Sequence, residues 1–144
     1  MAINTSKVVV GGLVAGVVNN VLGFLIQGML LGKRMMDEMV AAAPSLQGKG
    51  EDTMTMVCRV LTGFVIGFLI VWLYAAMRPR FGPGPKTAFL AGFAVWLCGF
   101  IFYMDWLYMG MMSTGLYAMV SVAMLISCSI TAMAGAALYK EDTA

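Results

Sequence analysis

Hydrophobic residues fall into four long, nearly uninterrupted runs along the chain, separated by short polar stretches. An α-helix needs roughly 20 apolar residues to cross a bilayer core about 30 Å thick. Each run has this length, so the pattern predicts an all-α, integral membrane four-helix bundle. The predicted spans, within a single transmembrane domain of residues 1–144, are residues 8–31, 57–77, 87–108 and 115–138.

The connections between these runs are too short to hold a soluble domain. The first, residues 33–56, opens with KRMMDEMVAAA, in which apolar and charged residues are mixed. This pattern predicts a short amphipathic segment after helix 1 that lies on the membrane surface. By this division the connections also contain every proline, which leaves the backbone hydrogen bonds of each span intact. The prolines are Pro44, Pro79, Pro83 and Pro85.

Composition agrees with a membrane protein and excludes several function classes. Hydrophobic residues make up 61% of the chain and charged residues 11%. Histidine is absent, which removes the usual general base and neutral metal ligand, and the three cysteines form no Cys-x-x-Cys pair. A net charge of +2 without a basic cluster argues against a nucleic-acid partner. We therefore expect a non-enzymatic protein without a cofactor, whose partners are the lipid bilayer and other membrane protein subunits or further copies of itself.

Lysine and arginine at the ends of the spans predict the orientation. One end of the bundle carries five, namely Lys7, Arg78, Arg80, Lys86 and Lys140. The opposite end carries four, namely Lys33, Arg34, Lys49 and Arg59. Because basic residues in short loops favour the cytoplasmic side, we expect both termini to be cytoplasmic. The second loop, RPRFGPGPK, then places Arg78, Arg80 and Lys86 at anionic lipid headgroups.

Small residues are expected to hold the helices together, since lipid provides no hydrophobic drive between them. The GxxxG spacing, which lets two helix backbones approach closely, occurs three times. The pairs are Gly12 and Gly16, Gly28 and Gly32, and Gly63 and Gly67. We expect these glycines to pack helices within one chain, with contacts between chains as the alternative.

Three amides lie inside the first span and need hydrogen-bond partners: Asn19, Asn20 and Gln27. Adjacent residues of an α-helix project about 100° apart, so Asn19 and Asn20 are not expected to face the same neighbour. We expect one of them to bond within the bundle and the other to face a cavity or a second chain. The expected partners are hydroxyls of the fourth span at similar depth, Ser127, Ser129 or Thr131.

Two charged residues, Arg59 and Asp105, fall at the same end of the second and third spans. An ionised residue at a helix centre costs about 2.5 to 3.5 kcal/mol, and an arginine–carboxylate contact offsets much of this cost. We therefore expect an ion pair that joins the two spans. The alternative is an ion or proton site at Asp105, tuned by Arg59.

Methionines are concentrated in and near the two loops opposite the termini. Clustered thioethers bind Cu(I), and methionine is also a flexible filler of irregular packing; we favour the filler role. The methionines in question are Met35, Met36, Met39, Met109, Met111 and Met112.

Two segments, WLYAAMRPRFGPGPKTA at residues 72–88 and GGLVAGVVNNVLGFLIQGMLLG at residues 11–32, resemble a group of short bacterial inner-membrane proteins with four predicted spans. The resemblance covers most of the chain. It implies a location in the bacterial cytoplasmic membrane. It implies no activity, because none is established for the group.

Three functions remain open from the sequence. The first is association, as an accessory or assembly subunit of a larger membrane complex or as a homo-oligomer. The second is a small oligomeric transporter or channel that uses Asn19, Asn20, Arg59 and Asp105. The third is Cu(I) binding by the methionine-rich loops.

Overall fold

A computed structural model describes residues 3–139, which form five α-helices and no β-strand. Four helices are long and apolar enough to cross a membrane, as expected for an all-α integral membrane bundle. They are α1, which spans Thr5–Gly23 and continues as a π-helical segment over Phe24–Leu30, α3 (Thr53–Phe81), α4 (Pro85–Tyr108) and α5 (Thr114–Leu138). The shorter helix α2 (Gly32–Ala42) follows the first span directly, at the position predicted for the amphipathic segment.

Three of the helices, α1, α3 and α5, begin at polar capping residues that lie outside the apolar runs. The side chains of Asn4, Asp52 and Ser113 each accept a hydrogen bond from the backbone N–H three residues further on, at 3.1, 2.9 and 3.3 Å. Such caps satisfy backbone donors that the first helical turn leaves free. For this reason α1 and α3 begin three and four residues before the starts predicted from hydrophobicity, residues 8 and 57.

The expectation that every proline lies in a connection is wrong for two of them. Pro79 lies inside the last turn of α3, and Pro85 is the first residue of α4. A proline at the first helical position costs little, because its missing N–H would have no partner there. Pro79 deprives one carbonyl of its donor close to the end of α3 at Phe81, which is followed by Gly82 with a positive φ of 80°.

The four spans surround a common centre. Helices α3 and α5 touch across it, while α1 and α4 lie at opposite corners, each packed against both α3 and α5. The two ends of the described chain meet, since the Asn4 backbone N–H donates to the Tyr139 hydroxyl at 3.3 Å. We call this the terminal end, and the opposite end, with α2, the loop end. Both termini and Lys140 lie outside residues 3–139, so their cytoplasmic placement stays a prediction.

Glycines bring α1 and α3 into backbone contact. A Cβ built on Gly67 would lie 2.6 Å from the Gly16 Cα, closer than real Cβ atoms come to other atoms. At Gly12 a Cβ would overlap the Phe68 ring, and at Gly63 it would meet the Asn20 amide. These four glycines therefore lie on the contact between the first two spans, within one chain.

Gly28 and Gly32 do not pack against another span, in contrast to the expectation. A Cβ on Gly28 would touch only the Phe24 ring of its own segment, and one on Gly32 would meet only the Gln27 carbonyl group. The physical reason is the change from α- to π-helix at Phe24, because five-residue hydrogen bonding alters which residues share a face. Gly32 also belongs to α2 rather than to the first span.

We predict that Gly67→Ala lowers the thermal stability of the protein in detergent. The added methyl group would strike the Gly16 backbone, and overpacking of this kind costs about 1–3 kcal/mol. Thermal unfolding followed by circular dichroism measures the effect. Gly115→Ala is the control, since the nearest atom to its new Cβ would be Arg34 Nη2 at 3.9 Å. Equal melting temperatures for both variants would contradict a tight α1–α3 contact.

Candidate functional site

Asn19 and Asn20 both donate hydrogen bonds to α3, contrary to the expectation that they face different neighbours. The Asn19 Nδ2 donates to the Gly63 carbonyl at 3.3 Å. The Asn20 Nδ2 donates to the Val60 carbonyl at 3.2 Å and to the Gly16 carbonyl of its own helix at 2.8 Å. The two helices are so close at Gly63 that Asn19 and Asn20, although they project in different directions from α1, both reach backbone carbonyls of α3, about one helical turn apart.

A cavity of about 290 Å³ lies beside these amides, near the middle of the bundle, and all four spans contribute to it. Three of the ten described lining residues are polar: Asn19, Gln27 and Ser127. None of the ten carries a charge. The remaining lining residues are Gly23, Ile26, Ile66, Val95, Gly99, Met124 and Cys128.

The polar groups of this cavity have unused hydrogen-bonding capacity. Within residues 3–139, the Gln27 amide, the Ser127 hydroxyl and the Asn19 Oδ1 form no hydrogen bond. Ser127 is nevertheless only 8% exposed. A buried hydroxyl is ordinarily paired, so Ser127 is a candidate contact for a bound molecule, with the half-buried Asn19 and the exposed Gln27 beside it. Of the other expected hydroxyls, Ser129 donates to the Leu125 carbonyl of its own helix at 2.7 Å, away from both asparagines.

The π-helical segment forms one wall of the cavity. Its last bond runs from the Leu31 N–H to the Ile26 carbonyl at 2.8 Å, across five residues. The segment has no buried residue and packs mainly against its neighbours α1 and α2. It therefore leaves space between itself and α5, and π-helical turns are frequent at functional sites.

An apolar groove of about 450 Å³ lies on the other side of Ile26, between the π-helical segment and α5. Ile26 lines both the groove and the cavity. The groove has no charged or amide side chain among its described lining residues. These are Ile26, Leu30, Leu31, Ala118, Met119, Val122, Ala123 and Ile126.

The expected ion pair between Arg59 and Asp105 is not formed. In the described part of the chain the one ion pair joins Arg34 to Glu38, at 3.1 Å. Arg59 extends toward the first loop, where a Cβ on Gly50 would lie 3.1 Å from its Nη2. Arg59 and Asp105 are both exposed on the outside of the bundle, and neither lines the cavity.

Sequence reasoning missed the contact that fixes α2 to the bundle. The Glu38 carboxylate accepts hydrogen bonds from the Ser113 backbone N–H at 2.7 Å, the Ser113 hydroxyl at 3.0 Å and the Arg34 guanidinium at 3.1 Å. These bonds, led by that of the Ser113 N–H, lower the pKa of Glu38 below its usual 4.5 against the opposing effect of desolvation. Because the partners are 75 residues apart, no local pattern links them.

The methionines at the loop end have different surroundings. Met35 and Met112 pack in one apolar cluster with Leu116, as expected of filler. Met109 is 77% exposed. The six methionines considered for Cu(I), Met35, Met36, Met39, Met109, Met111 and Met112, thus do not share one environment.

At the terminal end, the three basic residues expected at lipid headgroups also differ. Arg78 is half-buried, with its guanidinium carbon 5.5 Å from the centre of the Tyr139 ring, a cation–π arrangement. Arg80 and Lys86 are exposed. Of the three, Arg80 and Lys86 are therefore the ones whose exposure suits contact with lipid headgroups.

We predict that the α2–α5 contact is lost in acid. A carboxylate with a lowered pKa contributes its full stabilisation above its unfolded value of 4.5 and loses it as the pH falls through the folded pKa. The protection of the α2 amides against hydrogen exchange, taken relative to the intrinsic rate at each pH, should therefore fall as the pH drops below 4.5. In Glu38→Gln this protection should be lower than in the wild type at neutral pH and should not fall further in acid.

The matched control for this experiment is Glu51→Gln, in an exposed part of the same loop. It should keep the acid response of the wild type. Slow α2 exchange in Glu38→Gln at neutral pH would show that the hydrogen bonds to Ser113 do not hold α2.

No family model matches this chain, and no curated protein or solved structure matches it either. The residues with potential function are therefore those that the geometry brings forward. They are the polar groups of the central cavity, the apolar groove and the exposed pair Arg59 and Asp105.

Proposed function

We propose that this protein is a non-enzymatic membrane protein that acts by association and forms a homo-oligomer through Arg59 and Asp105. The protomer leaves both groups on its outer surface without a hydrogen bond or ion pair in residues 3–139. This observation carries the proposal, because charges within membrane-spanning helices ordinarily pair with one another or with backbone carbonyls.

A two-fold symmetric dimer would satisfy both charges. In such an interface, if residue i of one chain contacts residue j of its partner, then residue j of the first chain also contacts residue i of the partner. Arg59 of each chain then pairs with Asp105 of the other, giving two arginine–carboxylate contacts. The opposite charges at one end of adjacent helices supply both halves of this pairing.

The glycines provide an independent argument about where association occurs. Gly12, Gly16, Gly63 and Gly67 are used inside the protomer, against side chains or backbone of the partnering span. A contact between chains therefore has to use other groups. Exposed charges in membrane helices give such a contact both energy and orientation.

The other interpretations have narrower support. A transporter path through Asn19, Asn20, Arg59 and Asp105 is not assembled in the protomer, because the asparagines bond to α3 and the charged pair lies outside. An accessory role in a larger complex would also use Arg59 and Asp105, with a different chain as partner. We place the protein in the bacterial cytoplasmic membrane with both termini cytoplasmic, as the resemblance and the loop charges suggest.

The test is a charge exchange measured by native mass spectrometry of protein extracted gently from membranes. Arg59→Asp and Asp105→Arg, each alone, should reduce the dimer, because like charges then face each other. When the two single variants, with different tags, are produced together, they should form a mixed dimer. One chain then offers two acids and the other two bases, so both pairs are restored.

This mixture separates the proposal from its alternatives. A pair within one chain is not restored by mixing, and an accessory subunit with another protein as partner would co-purify in place of a second copy. A protein that stays monomeric in wild-type form, or single variants that dimerise as well as the wild type, would contradict the proposal. Val65→Trp, an exposed change on α3, serves as the control.

A further inference from the structure

We propose that the central cavity binds one small uncharged molecule with a hydroxyl group on an apolar body. This inference goes beyond the association proposed above and does not depend on it. It is carried by a cavity of about 290 Å³ among all four spans, whose Ser127 hydroxyl is only 8% exposed and has no partner in residues 3–139; the exposed Gln27 amide, also without a partner there, lines the same cavity.

The size of the cavity agrees with a small organic ligand. Ligand sites in proteins begin at about 300 Å³, and bundles commonly place them between facing helices. The same volume would hold roughly ten liquid waters. Three polar side chains in an otherwise apolar wall provide hydrogen bonds for only a few of these waters. An apolar body fills the remaining space at lower free energy.

The lining determines the charge of the ligand. None of the ten described lining residues is an acid or a base. A charged molecule would therefore lose its hydration without gaining an opposite charge, which is costly at the depth of a membrane. An uncharged molecule avoids this cost.

The polar groups determine the kind of head group. Asn19 Oδ1 is an acceptor, whereas the Gln27 amide and the Ser127 hydroxyl each both donate and accept. A hydroxyl also donates and accepts, so it is able to use either kind of group. A carbonyl only accepts and would leave Asn19 Oδ1 without a partner. An alcohol or phenol has such a head group with the fewest polar atoms, and it is the ligand class that we propose.

Cys128 lines the cavity and reports on its occupancy. In a Cys58→Ala, Cys98→Ala background, which removes the two exposed cysteines, Cys128 is the remaining thiol. We expect uncharged methyl methanethiosulfonate to label it and the charged sulfonatoethyl reagent to label it far more slowly. Benzyl alcohol should slow labelling, whereas toluene, which lacks the hydroxyl, and benzoate, which is charged, should protect less.

Two variants test the residues that carry the proposal. Gln27→Leu should weaken protection by benzyl alcohol about three-fold, the average effect of one lost hydrogen bond in a membrane helix. Gln47→Leu, at an exposed loop position, is the control and should keep full protection. Gly23→Leu should close the cavity and suppress labelling without loss of thermal stability, because a Cβ there meets no atom within 4 Å.

Each outcome supports or overturns the proposal. Equal protection by toluene and benzyl alcohol would show an apolar void without recognition of a hydroxyl. Equal protection by benzoate would contradict an uncharged ligand. Failure of the uncharged reagent to label Cys128 even at alkaline pH, where the reactive thiolate forms, would show that the cavity does not admit small molecules. Labelling of Gly23→Leu at the wild-type rate would place the reagent's route elsewhere.

Discussion

The backbone contact between α1 and α3 is the constraint on which the rest of the bundle depends. In lipid there is no hydrophobic drive between helices, so association requires close van der Waals packing. The positions of Gly16 and Gly67 leave no room for even a methyl group between the two helices. The same approach brings Asn19 and Asn20 to the carbonyls of α3, where their donors replace hydrogen bonds that lipid does not offer.

The close contact also explains why a cavity lies beside Gly23. Before Gly23 the first span is held against α3. Over Phe24–Leu30 the span is π-helical, and this segment packs mainly against its neighbours in sequence, α1 and α2. A helix held tightly along one half and loosely along the other leaves unfilled volume where the two halves meet. Gln27 lies at this transition, together with Ser127 of α5.

The architecture was predictable from the sequence because bilayer thickness fixes how many apolar residues a span needs. The helix ends were less so, since Asn4 and Asp52 begin helices from polar residues that hydrophobicity assigns to the loops. Pro79 remains helical because its position in the last turn of α3 limits the loss to a single carbonyl, a circumstance that residue type alone does not show.

The candidate site was predictable only in part. The sequence identified Asn19 and Gln27 as amides in need of partners, but the direction of a side chain depends on how closely two helices approach. Gly28 and Gly32 illustrate a second limit, because GxxxG spacing presupposes α-helical periodicity and the π-helical turn removes it. Arg59 and Asp105 show a third: similar depth along two helices does not set the rotation of either helix about its axis.

The contact between Glu38 of the first loop and Ser113, the residue that caps α5, has a consequence for biosynthesis. Glu38 precedes Ser113 by 75 residues, and two complete spans are made between them. Chains are synthesised from the N-terminus, so α2 leaves the ribosome long before its anchor exists. It has to wait at the membrane surface until the fourth span has entered the bilayer. The first loop is therefore among the earliest parts of the chain to be translated and among the last to reach its final position.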